Sequence, residues 1–245
     1  MKTIFSACWQ GVKELLFPSC CAICGLKLIE EELTVCSSCL STIPRTEHAI
    51  IPDNGIDMQF AELIFSQPRV VHYFQGATWA YYNSERGATL RQLIEKGKFG
   101  TRPNPHIFYE LARVAALEYI DSDLFENIDL IVPVPLHQRR LRERGFNQAE
   151  YIANAMGQVL AIPVDTTHLY RVRNNEHQSL AEMKNRMKNV QGLFGVKQPD
   201  DWKGKHILLV DDVITSGATM LSCMNPISSI RGTKISVFAL GWAHK

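Results

Sequence analysis

What the chain lacks narrows it first. No apolar run approaches the roughly 20 residues that a membrane-spanning helix needs, so no transmembrane segment is expected. Charge of one sign is missing too. The formal net charge is only +1, which leaves no global field to recruit nucleic acid or an anionic membrane. Any anion site must be built locally. Internal repeats and low-complexity stretches do not occur. A continuous apolar signal core is also lacking: Gln10, Lys13 and Glu14 interrupt the first 17 residues, and no small-residue cleavage site follows. There Ile4, Phe5, Cys8, Trp9, Val12, Leu15 and Leu16 recur at helical spacing, which predicts an amphipathic helix packed on the protein. Cysteine is nearly absent after the start, because six of the seven lie before residue 40. A scattered, even set would point to disulfides and secretion; this clustering points to a metal and a reducing, cytoplasmic compartment.

What is present has the composition of a globular protein: 46% hydrophobic and 21% charged residues in a chain of 245. That length fits one ordinary domain with a small appendage. Residues 1–45 are expected to form the N-terminal helix and a zinc-binding element, 46–70 a connector, and 71–245 the main domain. The connector follows from weak periodicity around Pro52, Asn54-Gly55 and Pro68. In the main domain, Ile128 to Val134, Ile207 to Val210 and Ile235 to Leu240 are β-branched, near-continuous apolar runs. Such runs mark strands covered on both faces. Helical spacing of Ala149, Ile152, Ala153, Met156, Val159 and Leu160 separates them. The fold class is therefore α/β, a parallel sheet flanked by helices, with ligands at the carboxyl ends of the strands.

Two such ends carry chemistry. After Val210 come Asp211, Asp212, then Thr215, Ser216, Gly217, Ala218 and Thr219. Small residues let backbone N–H groups converge on a phosphate at a helix start, hydroxyls add donors, and two carboxylates suit ribose hydroxyls or Mg²⁺. Asn225-Pro226 should kink the following helix or end it early. After Val134 come Arg139, Arg140, Arg142 and Arg144, a cluster able to grip pyrophosphate, or else a solvated helix face. A second basic segment holds Arg173, Gln178, Arg186, Asn189, Gly192 and Phe194. It is too long for an idle loop, and a closing lid would explain it.

The pairs Cys21/Cys24 and Cys36/Cys39, eleven residues apart, supply four thiolates for a structural Zn²⁺. Cys20 cannot keep the two-residue spacing to Cys24, and Gly25 eases the turn. Cys8 and Cys223 are expected in the core.

The string LLVDDVITSGAT resembles the sugar-diphosphate signature of type I phosphoribosyltransferases. That resemblance implies that Asp211 and Asp212 bind the ribose hydroxyls of phosphoribosyl diphosphate (PRPP), and that Thr215 to Thr219 cradle its 5′-phosphate. With VPVP…RGFNQA, the R…Q…R-x-x-N-V-x-G-x-F segment and the four cysteines, nearly the whole chain is similar to the ComF/GntX family of bacterial DNA uptake. The stretch Leu93 to Gly100 resembles that family's lysine-bearing segment. The resemblance implies PRPP and Mg²⁺ as ligands, with single-stranded DNA or the uptake machinery as partners. If catalysis occurs, a nitrogen nucleophile displaces pyrophosphate, with Arg140 and Arg144 on the leaving group. The candidate DNA surface is Arg139 to Arg144 with Lys96, Lys98 and Arg102, while Phe99 and Phe146 are expected in the core. A base-salvage transferase and a non-catalytic sugar-phosphate sensor remain open readings. An amidophosphoribosyltransferase is not expected, since Lys2 follows Met1 where that enzyme's glutaminase domain starts on cysteine. With few residues after Leu240, residues before about 105 are expected to cover the acceptor pocket.

Overall fold

The computed structural model describes residues 19–30, 32–67, 70–83, 87–99, 103–172 and 192–243. The expected N-terminal helix, with Cys8, lies outside them, as do Arg102, Arg173, Gln178, Arg186 and Asn189 of the basic segments. The elements begin with α1 (Ser37–Ser41), α2 (Gly55–Phe65), β1 (Tyr73–Tyr81), α3 (Ala88–Lys98) and α4 (His106–Glu118). Then follow β2 (Leu130–Pro133), α5 (Gln138–Arg144), α6 (Gln148–Leu160), β3 (Leu169–Arg171) and β4 (Phe194–Val196). The chain continues through β5 (His206–Ile214), α7 (Ala218–Ile227) and β6 (Lys234–Trp242).

Four strands form one sheet in the order β1-β6-β5-β2, and every pairing is parallel. Side chains alternate faces along a strand, so the apolar runs divide into two cores. Leu208 and Val210 join Ile131, Phe238 and Leu240 on one face. Ile207 and Leu209 join Leu130, Val132, Val237 and Ala239 on the other. The first core is completed by α3, α4 and α6, the second by α2, α7 and Trp202.

Helix packing follows from residue size. In α3 the buried positions Leu90, Leu93, Ile94 and Gly97 repeat at three and four. A Cβ on Gly97 would stand 2.6 Å from the Phe108 ring, so glycine is what lets α3 approach α4. Buried Ala112, Ala115 and Ala116 on α4 and Ala149 and Ala153 on α6 permit similarly close contact. Both edges of the sheet are covered, which removes open pairing sites. Residues 44–46 line β1, with Thr46 N–H donating to Trp79 O at 3.0 Å and Tyr81 N–H to Pro44 O at 3.0 Å. Val164 bridges to Ile131 on β2.

The stretch 46–70, read as a connector, contains α2. Asn54 caps it by accepting from Ile56 and Asp57 N–H. Only Ile56 and Phe60 are buried, whereas Met58 and Phe65 are exposed, so the apolar residues do not mark one face. That is why periodicity missed the helix. The expected early end of α7 is observed: it stops at Ile227, one residue past Pro226.

Candidate functional site

Val210 is fully buried beside β2 and β6, and the sheet therefore delivers Asp211 and Asp212 to its carboxyl end. Asp211 accepts from the Asp212 N–H at 2.8 Å. Burial, and then the neighbouring Asp212 carboxylate, raise the Asp211 pKa to about 7. Asp212 is buried and ion-paired with the Lys98 ammonium from the last turn of α3. That same Oδ2 lacks a hydrogen bond of good geometry, so the contact is an ion pair rather than an in-line hydrogen bond.

The loop beyond the acids is shaped by one glycine and one helix. Gly217 has φ +73° and caps α7. An added Cβ there would also stand 2.7 Å from Leu63 Cδ1 of α2, so both backbone and space exclude a side chain. Gln59 of α2 donates to Thr215 O at 2.8 Å and accepts from Trp242 Nε1 at 3.0 Å, tying the loop to β6. Thr215, Ser216 and Thr219 are exposed around the start of α7, with Ala218 half-buried.

Of the four arginines on α5, the fold turns one inward. Arg144 is half-buried, with its guanidinium 5.4 Å from the Phe99 ring and Nη1 donating to Gln148 Oε1 at 2.5 Å. Burial lowers its pKa, opposed by the field of Asp212, with Arg140 and Asp211 also in reach. Arg140 and Arg142 are exposed, and Arg139 pairs with Glu143 at 3.0 Å on the solvent side. The solvated-face reading thus holds for Arg139. Asn147, within the RGFNQA string, is buried and structural: it donates to Val134 O at 3.1 Å and caps α6 through Ala149 N–H at 3.2 Å.

Two residues at the site escaped sequence reasoning. Arg171 on β3 sits over the Phe194 ring at 5.4 Å, within the fields of Arg140 and Asp211. The basic run after it drew attention one turn too late. Tyr82 lies near Glu95 and Asp212, and burial followed by those charges raises its pKa. Two expectations need correction. Lys98 is committed to Asp212 and does not belong to an outer DNA surface. Phe99, expected in the core, is 61% exposed because α3 ends at Lys98 and Phe99 leaves the helix extended. A separate hollow of 520 Å³, lined by His48, Asp57, Met58, Tyr73 and Phe74, contains none of the motif residues.

The four-cysteine cluster also touches the last turn of α3, where Lys96 reaches Ala22 O. The sulfurs of Cys21, Cys24, Cys36 and Cys39 all lie within 4.8 Å of one another. Cys24 and Cys36 Sγ are 3.7 Å apart. A tetrahedron with Zn–S of about 2.3 Å has edges of about 3.8 Å, so the spacing fits that ion. Backbone N–H groups of Ile23 and Cys36 point at Cys21 Sγ at 3.4 and 3.3 Å. Burial opposes the Cys21 thiolate, yet the N–H groups of Cys36, Cys24 and Ile23 outweigh it and bring the pKa to about 6. Burial and the neighbouring sulfurs push Cys39 to about 12. A divalent cation at the centre would reconcile these by binding all four as thiolates. Gly25 turns the chain with φ +74°, Cys20 stays outside the cluster, and Cys223 is in the core.

The four-cysteine element is also tied to the rest of the domain. Cys21, Leu28, Val35 and Cys36 belong to the first core. Buried Glu110 of α4 accepts from the N–H groups of Leu33, Thr34 and Val35 at 3.1, 2.7 and 3.0 Å, and from the Thr34 hydroxyl. Lys96 donates to Ala22 O inside the first cysteine pair.

Residues 104–240 match the phosphoribosyl transferase domain family. The DNA utilization protein YhgH of Escherichia coli is 28% identical over 211 residues, covering 84% of this chain and 89% of YhgH. Competence protein F of Haemophilus influenzae is 29% identical over 158 residues, 63% of this chain and 68% of that protein. Competence protein ComFC of Bacillus subtilis is 36% identical over 91 residues, 37% of this chain and 35% of its own. The paired acids near the end of β5 lie inside the matched span, the named competence and DNA-utilization proteins are what the chain is similar to, and the chain belongs to the phosphoribosyl transferase domain family.

Proposed function

We propose that the chain binds PRPP with Mg²⁺ at the carboxyl ends of β2 and β5, and that this site serves DNA utilisation. One observation carries the reading: a buried diacid is followed directly by a glycine-capped helix start and faced by Arg144, Arg171 and Lys98. Asp211 and Asp212 accept the ribose hydroxyls. Backbone N–H groups and hydroxyls from Thr215 to Thr219 hold the 5′-phosphate. Arg144, with Arg140 at the rim, meets the diphosphate. Magnesium bound to the diphosphate supplies charge neutralisation on the leaving group. In the reaction this arrangement suits, a nitrogen atom forms a bond to C1 of the sugar. The C1–O bond breaks at the same centre, and its electron pair leaves with pyrophosphate. Zn²⁺ is the metal proposed for the four cysteines.

Calorimetric titration with PRPP and Mg²⁺ tests the site. Wild type should bind, and Asp211→Asn with Asp212→Asn should lose at least about tenfold in affinity, or 1.4 kcal/mol, with the fold intact. Undiminished affinity in the double variant would remove both acids from the ribose role.

The name DNA utilization protein among the relatives extends the proposal to DNA, and we propose a single strand, whose bases an exposed aromatic can stack. The observation favouring it is exposed Phe99 beside Arg144, next to a helix that shows Arg140 and Arg142 to solvent. Aromatic stacking on a base contributes about 1–3 kcal/mol, and a few phosphate contacts give binding that falls steeply with salt. Phe99→Ala should weaken oligonucleotide anisotropy at low salt, and PRPP should compete. Binding indifferent to both changes would place the DNA surface elsewhere.

A further inference from the structure

The described residues place a lysine inside the diacid site, and neither the ribose nor the 5′-phosphate role uses it. Lys98 is the last residue of α3, its side chain is only 18% exposed, and its ammonium pairs with Asp212. Two carboxylates side by side in a buried place cannot both hold charge without a cation, because their repulsion adds to the loss of water. Other titratable groups surround the pair. Arg144 of α5 lies in the field of both acids, Arg171 of β3 and the Cys223 thiol of α7 lie near Asp211, and Tyr82 at the end of β1 lies near Asp212; Arg140, Glu95 and Arg91 flank these groups in turn. Lys98 pairs directly with Asp212. It also acts on Asp211, whose pKa is raised by burial and by Asp212 and pulled back by Lys98.

We propose that Lys98 is the counter-ion of the diacid: its ammonium balances the Asp212 carboxylate inside the site, so that both acids can stand as acceptors for ribose hydroxyls. This makes Lys98 a positioning residue, acting through Asp211 and Asp212. The inference rests on the sugar-binding reading above, although the pairing itself can be read without ligand. The helix is suited to the task. Gly97 lets α3 press against Phe108, and Lys96 anchors the same turn to Ala22 O, so the ammonium is delivered by a fixed element.

The test uses the full-length, metal-replete chain. Carboxyl ¹³C resonances of Asp211 are followed from pH 5 to pH 9 in ligand-free wild type, K98M and K98R. Removing the cation should move the Asp211 midpoint up by about one unit or more, and arginine should restore it. Titration with PRPP and Mg²⁺ over the same range should then show the affinity of K98M rising at higher pH than that of wild type. The ligand's own ionisation is common to both proteins and cancels. If K98M does not fold, K98Q serves in its place, with thermal melting as the control. An unmoved Asp211 midpoint, or an affinity loss of the same factor at every pH, overturns the counter-ion role. The second outcome is what a plain phosphate contact would give. Wild type that does not bind PRPP would bring down the sugar reading, while the ligand-free resonances still decide the pairing.

Discussion

A single carboxylate shows how the site is held against the fold's own preference. Asp211 has a folded pKa of about 7, raised by burial and by Asp212. Between its ordinary value near 4 and that value, the folded state keeps a proton that the unfolded chain has released. The unfolded state then binds fewer protons, so stability falls as pH rises through this window and levels off above about 7. Asp211→Asn removes the charge and its cost. The variant should melt a few degrees higher than wild type at pH 8 and show no such gain at pH 4, while losing PRPP binding. Calorimetric melts at the two pH values check the sign, and a lower melting temperature at pH 8 would contradict it. The two acids were legible as letters: the residues alone left open a plain strand–turn–helix junction with an Asp cap, and the resemblance of LLVDDVITSGAT to the phosphoribosyltransferase signature singled them out. Their partners were not. Lys98 and Asp212 are brought together by the packing of α3, and Arg171 reaches the site from a three-residue strand. Neither relation leaves a spacing in the sequence.

Elements were legible in proportion to their burial. The strands buried on both faces, β2, β5 and β6, announce themselves as apolar runs, and α6 by its spacing. β1 does not, because Gln75 and Gly76 interrupt it, and β3 and β4 are too short to show a period. The helix α2 was hidden by exposed Met58 and Phe65, yet it is what presses on the loop after β5 through Gln59 and Leu63. Its role makes Gly217 a test of the loop as a unit. Gly217→Ala meets a positive φ and Leu63 at 2.7 Å, so the loop must shift. A loss of about 1–3 kcal/mol in stability is expected from the backbone conformation, and weaker binding of inorganic phosphate from the displaced N–H groups. Leu63→Ala in the same chain should recover part of the stability by opening space, though not the backbone strain. Full recovery would mean that the clash alone requires glycine.

At the scale of the molecule, the four-cysteine element and the sheet domain share one core. Full-length protein should contain about one zinc per chain, and Cys24→Ser or Cys39→Ser should lose it. Elemental analysis decides this, and metal-replete protein without zinc would refute the assignment. Glu110→Leu should weaken the element without touching a sulfur. It leaves three backbone N–H groups without their acceptor, at roughly 1–3 kcal/mol for each that stays buried. Melting should drop markedly, and a chelator should strip zinc faster than from wild type. The strand order β1-β6-β5-β2 has a further consequence, for the order in which the chain is made. The two edge strands leave the ribosome first and the two central ones last, so Tyr73 waits for Ile235 before it has a partner in the sheet. The edge strand β2 can pair once β5 is made, but β1 has no partner within the sheet until β6 emerges, and the cysteines of residues 21–39 sit on an unfinished core until then. Such long-range pairing is slow and leaves apolar strands exposed. A nascent chain stalled before Lys234 is therefore the aggregation-prone species of this protein, since β1 is still without its partner in the sheet.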